Sequence, residues 1–188
     1  LAGMALSAVC GAFSSFIVYF ANNKEGMQTI AYWMMGSLAG AQWGELAVIA
    51  PIIIASILFF WTQSRVLNLM LLGDESAITM GTDLHAYRQW YLLISSLIVG
   101  FAVYSAGMIG FVGLIVPHVI RMFTGPDHKR LLPVAALVGA IFLVVADGLC
   151  RVIIPHTELP IGILISMIGA PSFIYLMIKK TYGFGGSD

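Results

Sequence analysis

Leu72-Gly73-Asp74-Glu75-Ser76-Ala77-Ile78-Thr79-Met80-Gly81 is a short polar passage set between long apolar runs. Asp74 is a residue type that caps a helix by accepting backbone N–H bonds, Glu75 suits a first turn, and Gly81 ends helices in the left-handed conformation. The passage predicts a helix of barely two turns. So short a helix returns too few bonds to offset its nucleation, so it is expected to be held by what it packs against, in part another protein.

Outward from this passage the chain reads as membrane. Sixty per cent of its 188 residues are hydrophobic and 10% are charged, with a mean hydropathy of +0.95, whereas soluble domains carry about a quarter charged residues. The fold class that follows is an all-α integral membrane protein, a polytopic bundle forming one domain over residues 1–188. Nine Lys and Arg balance nine Asp and Glu, so no bulk basicity points to nucleic acid. Cys10 and Cys150 lie far apart in apolar segments without metal-type spacing, and read as small hydrophobes. The opening apolar run has no basic segment before it and does not resemble a signal peptide, so the chain is expected to be a fragment of a longer protein.

A transmembrane helix needs about 20 mostly apolar residues, and charges mark the dividers. Residues 1–21 are uncharged and end at Asn22-Asn23-Lys24-Glu25; residues 46–63, with Pro51, form a second run. The stretch between Arg88 and Arg121 carries no charge and is too long for one crossing. Gly107, Gly110 and Gly113 divide it into 89–107 and 110–124, joined by a tight turn. Residues 131–154 and 160–178 complete six expected spans. In the loop 22–43, residues 32–40 are apolar, short and glycine-rich, and predict an interfacial or re-entrant helix with Trp33 and Trp43 at headgroup level.

Orientation follows from Lys and Arg in the connections. Arg65, Arg88, Arg121, Lys129, Arg130, Lys179 and Lys180 fall on one side, and only Lys24 and Arg151 on the other. The first side is therefore the cytoplasm. It holds the 65–88 loop with its short helix, and it holds the C-terminus.

Gly3, Ser7, Gly11 and Ser15 in the first span, and Gly162, Ser166 and Ala170 in the last, recur at helical spacing. Such stripes let helices approach closely in lipid; the face from Ser7 to Ser15 could instead line a passage. Asp147 and Arg151 are four apart on one helix and can neutralise each other. That leaves Arg151 either as half of a structural pair or as a contact for an acidic partner outside. His118 shares a face with Arg121 and reads as packing, while His85, His128 and His156 resemble no metal set. There is no nucleophile–base arrangement and no G-x-x-x-x-G-K-[ST] phosphate loop. Active transport would need energy from another subunit or from an ion gradient, and Asp147 is the sole candidate for ion coupling. A structural membrane subunit without a solute path is the further alternative.

Four stretches give the chain a resemblance to a known family. They are Tyr32-Trp33-Met34-Met35-Gly36; Gln63-Ser64-Arg65 through Leu72-Gly73-Asp74-Glu75-Ser76-Ala77 to Gly81; Gly110-Phe111-Val112-Gly113-Leu114-Ile115-Val116-Pro117-His118 with Arg121; and Glu158-Leu159-Pro160-Ile161-Gly162 to Gly169-Ala170-Pro171. In this order they resemble the permease subunits of ATP-binding-cassette importers for iron-siderophores, haem and cobalamin. The resemblance implies a ten-helix permease of the bacterial or archaeal cytoplasmic membrane, working as a homo- or heterodimer, of which this chain is the C-terminal part. The 22–43 loop would then be periplasmic. It also implies that Gly73, Asp74, Glu75, Ser76, Ala77 and Gly81 form the element that docks on a separate ATPase subunit, which holds the ATP and Mg while this chain holds no cofactor. Ser76 replaces the first alanine of that motif. Arg151 falls where the family meets a periplasmic or lipid-anchored substrate-binding protein, and Ser7, Gly11 and Ser14 fall on the helix that lines the translocation path.

Overall fold

Apolar runs in lipid must satisfy their own backbone groups, and helices do so within one segment. The computed structural model describes residues 2–20, 24–153 and 159–183, and all of its regular elements there are α-helices. They are α1 (Ala2–Phe20), α2 (Lys24–Met35), α3 (Trp43–Thr62), α4 (Ser64–Leu71), α5 (Asp74–Thr79), α6 (Leu84–Ala106), α7 (Val112–Thr124), α8 (His128–Ile153) and α9 (Ile161–Gly183). The divider Asn22-Asn23, the Pro155–Glu158 loop and the tail after Gly183 lie outside the described residues.

The six expected spans fall on α1, α3, α6, α7, α8 and α9. Among the described residues, four of them, Gly3–Phe20, Trp43–Thr62, Leu84–Ala106 and His128–Ile153, are long and apolar enough to cross a membrane. The 13 residues of α7 reach only about 20 Å, short of a hydrocarbon core of about 30 Å. The chain spends residues 107–111 on the turn before it, with Phe111 at φ 63°. The helix expected at 32–40 lies instead at Lys24–Met35 and stops where the backbone turns at Gly36, so Lys24 and Glu25 form its first turn rather than a divider. The 65–88 loop is mostly helical: it holds all but the first residue of α4, all of α5 and the start of α6, whose Asp83 caps it by accepting the His85 N–H at 2.9 Å.

Connections gather at two ends. At one end Ser37 donates its backbone N–H to the Ala106 carbonyl at 2.9 Å, and the Trp33 indole donates to the Tyr104 carbonyl at 3.5 Å. Here a Cβ on Gly107 would strike the Trp33 carbonyl, and one on Gly162 the Met35 carbonyl. Of the stripe on α9, Gly162 admits the end of α2 to backbone contact, while Ser166 is exposed. At the other end α4 packs on α8. Between the ends, Ala146, Cys150, Ile161 and Ile165 form one buried cluster with Phe111 and Leu143, and Val116, Ile120 and Leu131 form another. α7, α8 and α9 are therefore the packed centre, with α3 and α6 beside it. α1 makes its substantial contacts with α2 alone.

Candidate functional site

The end that gathers α4, α5 and the α7–α8 turn is built by polar side chains. As α3 finishes, Gln63 accepts the Tyr91 hydroxyl at 3.3 Å, which ties the start of α4 to α6. The Trp61 indole donates to the Lys129 carbonyl at 3.0 Å. Asn68 on α4 donates to Asp127 Oδ1 at 2.8 Å, and its own Oδ1 accepts the His128 backbone N–H at 2.9 Å. Asp127 Oδ1 also accepts the Lys129 N–H at 3.0 Å, so it caps α8. The Asn68 hydrogen bond, followed by that from Lys129, holds the Asp127 carboxyl below the usual carboxylate range.

From this base the chain enters α5 through Gly73, which stands at the N-cap with φ 91°. Asp74 is the first helical residue and not the cap, because a glycine in that backbone state turns the chain into the helix and contributes no side chain. The exit matches expectation. Gly81 lies at φ 77°, its N–H donates to the Ile78 carbonyl at 2.9 Å, and the Thr82 N–H donates to the Ala77 carbonyl at 3.0 Å. These two bonds make a Schellman cap. Ala77 is fully buried, while Ile78 is 68% exposed and Met80 60% exposed. One face of α5 is therefore sealed on the protein, and the other offers apolar side chains outward together with Leu71 and Leu72.

Gly73, Asp74, Glu75, Ser76, Ala77 and Gly81 thus sit on one helix and its two turns; the Asp74 and Glu75 side chains lie outside the description. The remaining expected residues lie elsewhere. Arg151 is in the last turn of α8, where its Nε donates to Asp147 Oδ2 at 2.8 Å, as their four-residue spacing predicts. That places it about 36 Å along the helix from Asp127. Ser7, Gly11 and Ser14 share one face of α1, Ser14 with its hydroxyl on the Cys10 carbonyl at 3.0 Å. A side chain at Gly11 would meet nothing within 4 Å. An apolar cleft lined by Val9, Ala12, Phe13 and Phe16 occupies the opposite face. Cys150 is buried as expected, whereas Cys10 is exposed. Among the described residues no group of His, Cys, Asp and Glu could hold a metal.

Sequence reasoning missed two sets. Leu71, Leu72, Ile78 and Met80 are large apolar residues in a connection outside the spans, and that mismatch was their signal. Asn68, Asp127 and His128 come together across some 60 positions, and only the Pro126-Asp127 start of a helix hinted at the cap.

The FecCD transport family model matches residues 1–179. The chain belongs to the FecCD transport family. The FecCD chain is 41% identical over 180 residues to the hemin transport system permease protein HmuU of Yersinia pestis, covering 96% of this chain and 54% of that one. It is also 41% identical over 177 residues to the cobalamin import system permease protein BtuC of Halobacterium salinarum, covering 94% and 47%. A solved structure described as an inward-facing conformation of a metal-chelate type ABC transporter superposes with a TM-score of 0.88 at 34% identity, over 94% of the FecCD chain and 57% of the other. The FecCD chain spans about half the length of the relatives it matches.

Proposed function

We propose that the FecCD chain forms the C-terminal part of the permease of an ATP-driven importer for a metal chelate: ferric siderophore, haem or cobalamin. The observation that carries this reading is the build of α5, a short helix capped at its exit, sealed inward through Ala77 and apolar outward through Ile78 and Met80. Exposed apolar residues outside the lipid-facing spans suit a protein partner, and the partner proposed is the ATPase subunit, which carries ATP and Mg. The positive-side bias supports a cytoplasmic position for this surface. Arg151, at the far end of α8, would meet a periplasmic or lipid-anchored substrate-binding protein. The uncovered face of α1 carrying Ser7, Gly11 and Ser14 would border the path beside a second permease copy.

No covalent step is involved. Closure of the ATPase dimer would carry α5 and α4, and the Asn68–Asp127 contact would pass that movement to α8 as a rigid-body shift between two states. The Asp147–Arg151 ion pair speaks against an ion-coupled carrier, which would need that carboxylate for its ion. The test uses the full-length permease reconstituted with its ATPase and binding protein in vesicles. Ile78→Asp, or a bulky residue in place of Glu75 or Gly81, should abolish ATP-driven uptake while the permease stays folded. Normal uptake in all three would sink the proposal.

A further inference from the structure

A pocket lined by Trp61, Thr62, Ser64, Arg65 and Lys129 opens where α3 ends and α8 begins. Arg65 and Lys129 give it two cations, and among the described residues neither has a carboxylate within ion-pair distance. Asp127, two residues before Lys129, spends its Oδ1 on Asn68 and on the Lys129 backbone. Two cations lining one pocket repel, although Lys129 is also drawn to the nearby Asp127 carboxylate, and an anion between them removes that cost. The hydrogen-bonding inventory has the same sense. The Thr62 hydroxyl is used on the Phe59 carbonyl at 2.7 Å, and the Trp61 indole on Lys129. The donors that line the pocket are the Arg65 guanidinium, the Lys129 ammonium and the hydroxyl of Ser64, a residue only 6% exposed. Two cationic donors and a hydroxyl able to donate fit a phosphate.

The pocket's level in the membrane identifies the carrier of that phosphate. Residues 46–60 of α3 are uncharged, so the pocket lies at the first polar level beyond an apolar span. The Trp61 ring that forms its wall belongs to a residue type that favours the headgroup boundary. The side concerned is the one where seven of the nine basic residues gather, which faces the anionic cytoplasmic leaflet. We propose that this pocket binds the phosphate of an anionic phospholipid headgroup, with Arg65 and Lys129 as its charge partners and Ser64 as a donor. Bound there, the lipid would bridge the end of α3 to the start of α8, next to the Asn68–Asp127 contact.

The test is native mass spectrometry of the full-length permease with its ATPase subunit, titrated with phosphatidylglycerol or phosphatidylcholine. The wild type should prefer phosphatidylglycerol. Arg65→Gln with Lys129→Gln should weaken phosphatidylglycerol binding about 25-fold, roughly fivefold for each basic residue near an anionic headgroup, and leave phosphatidylcholine unaffected. The charge-keeping pair Arg65→Lys with Lys129→Arg should retain most of the preference, which separates a charge effect from misfolding. Equal phosphatidylglycerol binding in the wild type and the glutamine pair overturns the proposal. Displacement of the lipid by inorganic phosphate also overturns it, since the site would then take a free anion. Loss of the ATPase subunit from the glutamine pair with lipid binding unchanged would make the pocket a protein contact and overturn it too. Because the readout is lipid occupancy, it succeeds or fails independently of uptake.

Discussion

Asn68 on α4 donates to Asp127 Oδ1 at 2.8 Å, and that same oxygen accepts the Lys129 backbone N–H at 3.0 Å. One carboxylate oxygen therefore caps α8 and holds α4 to it. Removing the amide in Asn68→Ala leaves the Asp127–Lys129 cap bond in place, takes the acceptor from the His128 N–H and releases α4. The expected outcome is preserved ATP hydrolysis with uptake per ATP reduced by about 3- to 30-fold, the range in which residues along a mechanical contact alter coupling. Parallel measurement of phosphate release and uptake in vesicles checks it; unchanged stoichiometry would remove Asn68 from the path.

The same oxygen sets an acid limit. Asp127 titrates below its ordinary value because Asn68 and the Lys129 N–H bond its charged form. A carboxyl depressed in the folded state adds stability that is complete above its unfolded pKa, about 3.9, and is lost as pH falls through the folded value. Wild-type protein should therefore lose this increment on acidification below about pH 4. Asp127→Asn should be less stable at neutral pH and show a shallower acid-side decline. Thermal unfolding in detergent between pH 3 and 7 decides the matter, and parallel curves for the two proteins would contradict it.

Spans were legible because lipid leaves little choice: the uncharged runs at 1–21, 46–63 and 89–107 had to be helices. Boundaries were less so. Lys24 and Glu25 looked like a divider and are a first turn, because polar residues open an interfacial helix as readily as they end a span. Asp74 is a good cap by type, yet Gly73 takes the position through backbone geometry that composition does not reveal. The α5 exit was readable, since Gly81 is the one residue there without a Cβ. The Asn68–Asp127–His128 contact was not, because it depends on how α4 lies across α8, which no local spacing encodes.

Gly107 and Gly162 on one hand, and Gly3 and Gly11 on the other, should respond oppositely to a methyl group. A Cβ at Gly107 or Gly162 would meet the carbonyl of Trp33 or Met35, backbone that cannot swing aside, whereas Gly3 and Gly11 have nothing within 4 Å. Gly162→Ala should destabilise by about 1–3 kcal/mol, as overpacking does. Gly11→Ala should be near neutral, and Gly11→Trp in the full-length permease should fold but block uptake. Unfolding midpoints together with vesicle uptake test both halves. A stable Gly162→Ala protein would show that the α2–α9 contact is looser than its geometry.

Ala77 and Ile78 are neighbours with opposite surroundings, fully buried and 68% exposed, so they separate folding from docking. Ala77→Leu puts new volume where none is free and should lower stability by about 1–3 kcal/mol. Ile78→Asp disturbs no packing and should leave the unfolding midpoint within experimental error. It should nevertheless weaken capture of the ATPase subunit by at least tenfold, since a charge would enter an apolar contact. Co-purification with the ATPase, read beside the midpoint, distinguishes them. Retained capture by Ile78→Asp would mean that the outward face of α5 is not the docking face.

Arg151 is held by Asp147 at 2.8 Å, with its side chain 51% exposed and that of Asp147 22% exposed. Half-exposed, the arginine belongs to the rim of any contact it makes. Rim charges act chiefly on association rate and salt dependence, with less effect on contact strength. Arg151→Ala should therefore weaken capture of the substrate-binding protein by no more than about fivefold, in line with exposed ion pairs worth up to about 1 kcal/mol. Most of that loss should appear in the on-rate. Arg151→Glu should lose more, because an attractive charge becomes repulsive toward an acidic partner. Asp147→Asn keeps the arginine's charge and removes its orienting partner, so its effect should be smaller than either. Surface plasmon resonance on the full-length permease at low and high salt reads all three. The differences should shrink as salt rises; variants that match wild type at low salt would leave Arg151 as half of a structural pair and nothing more.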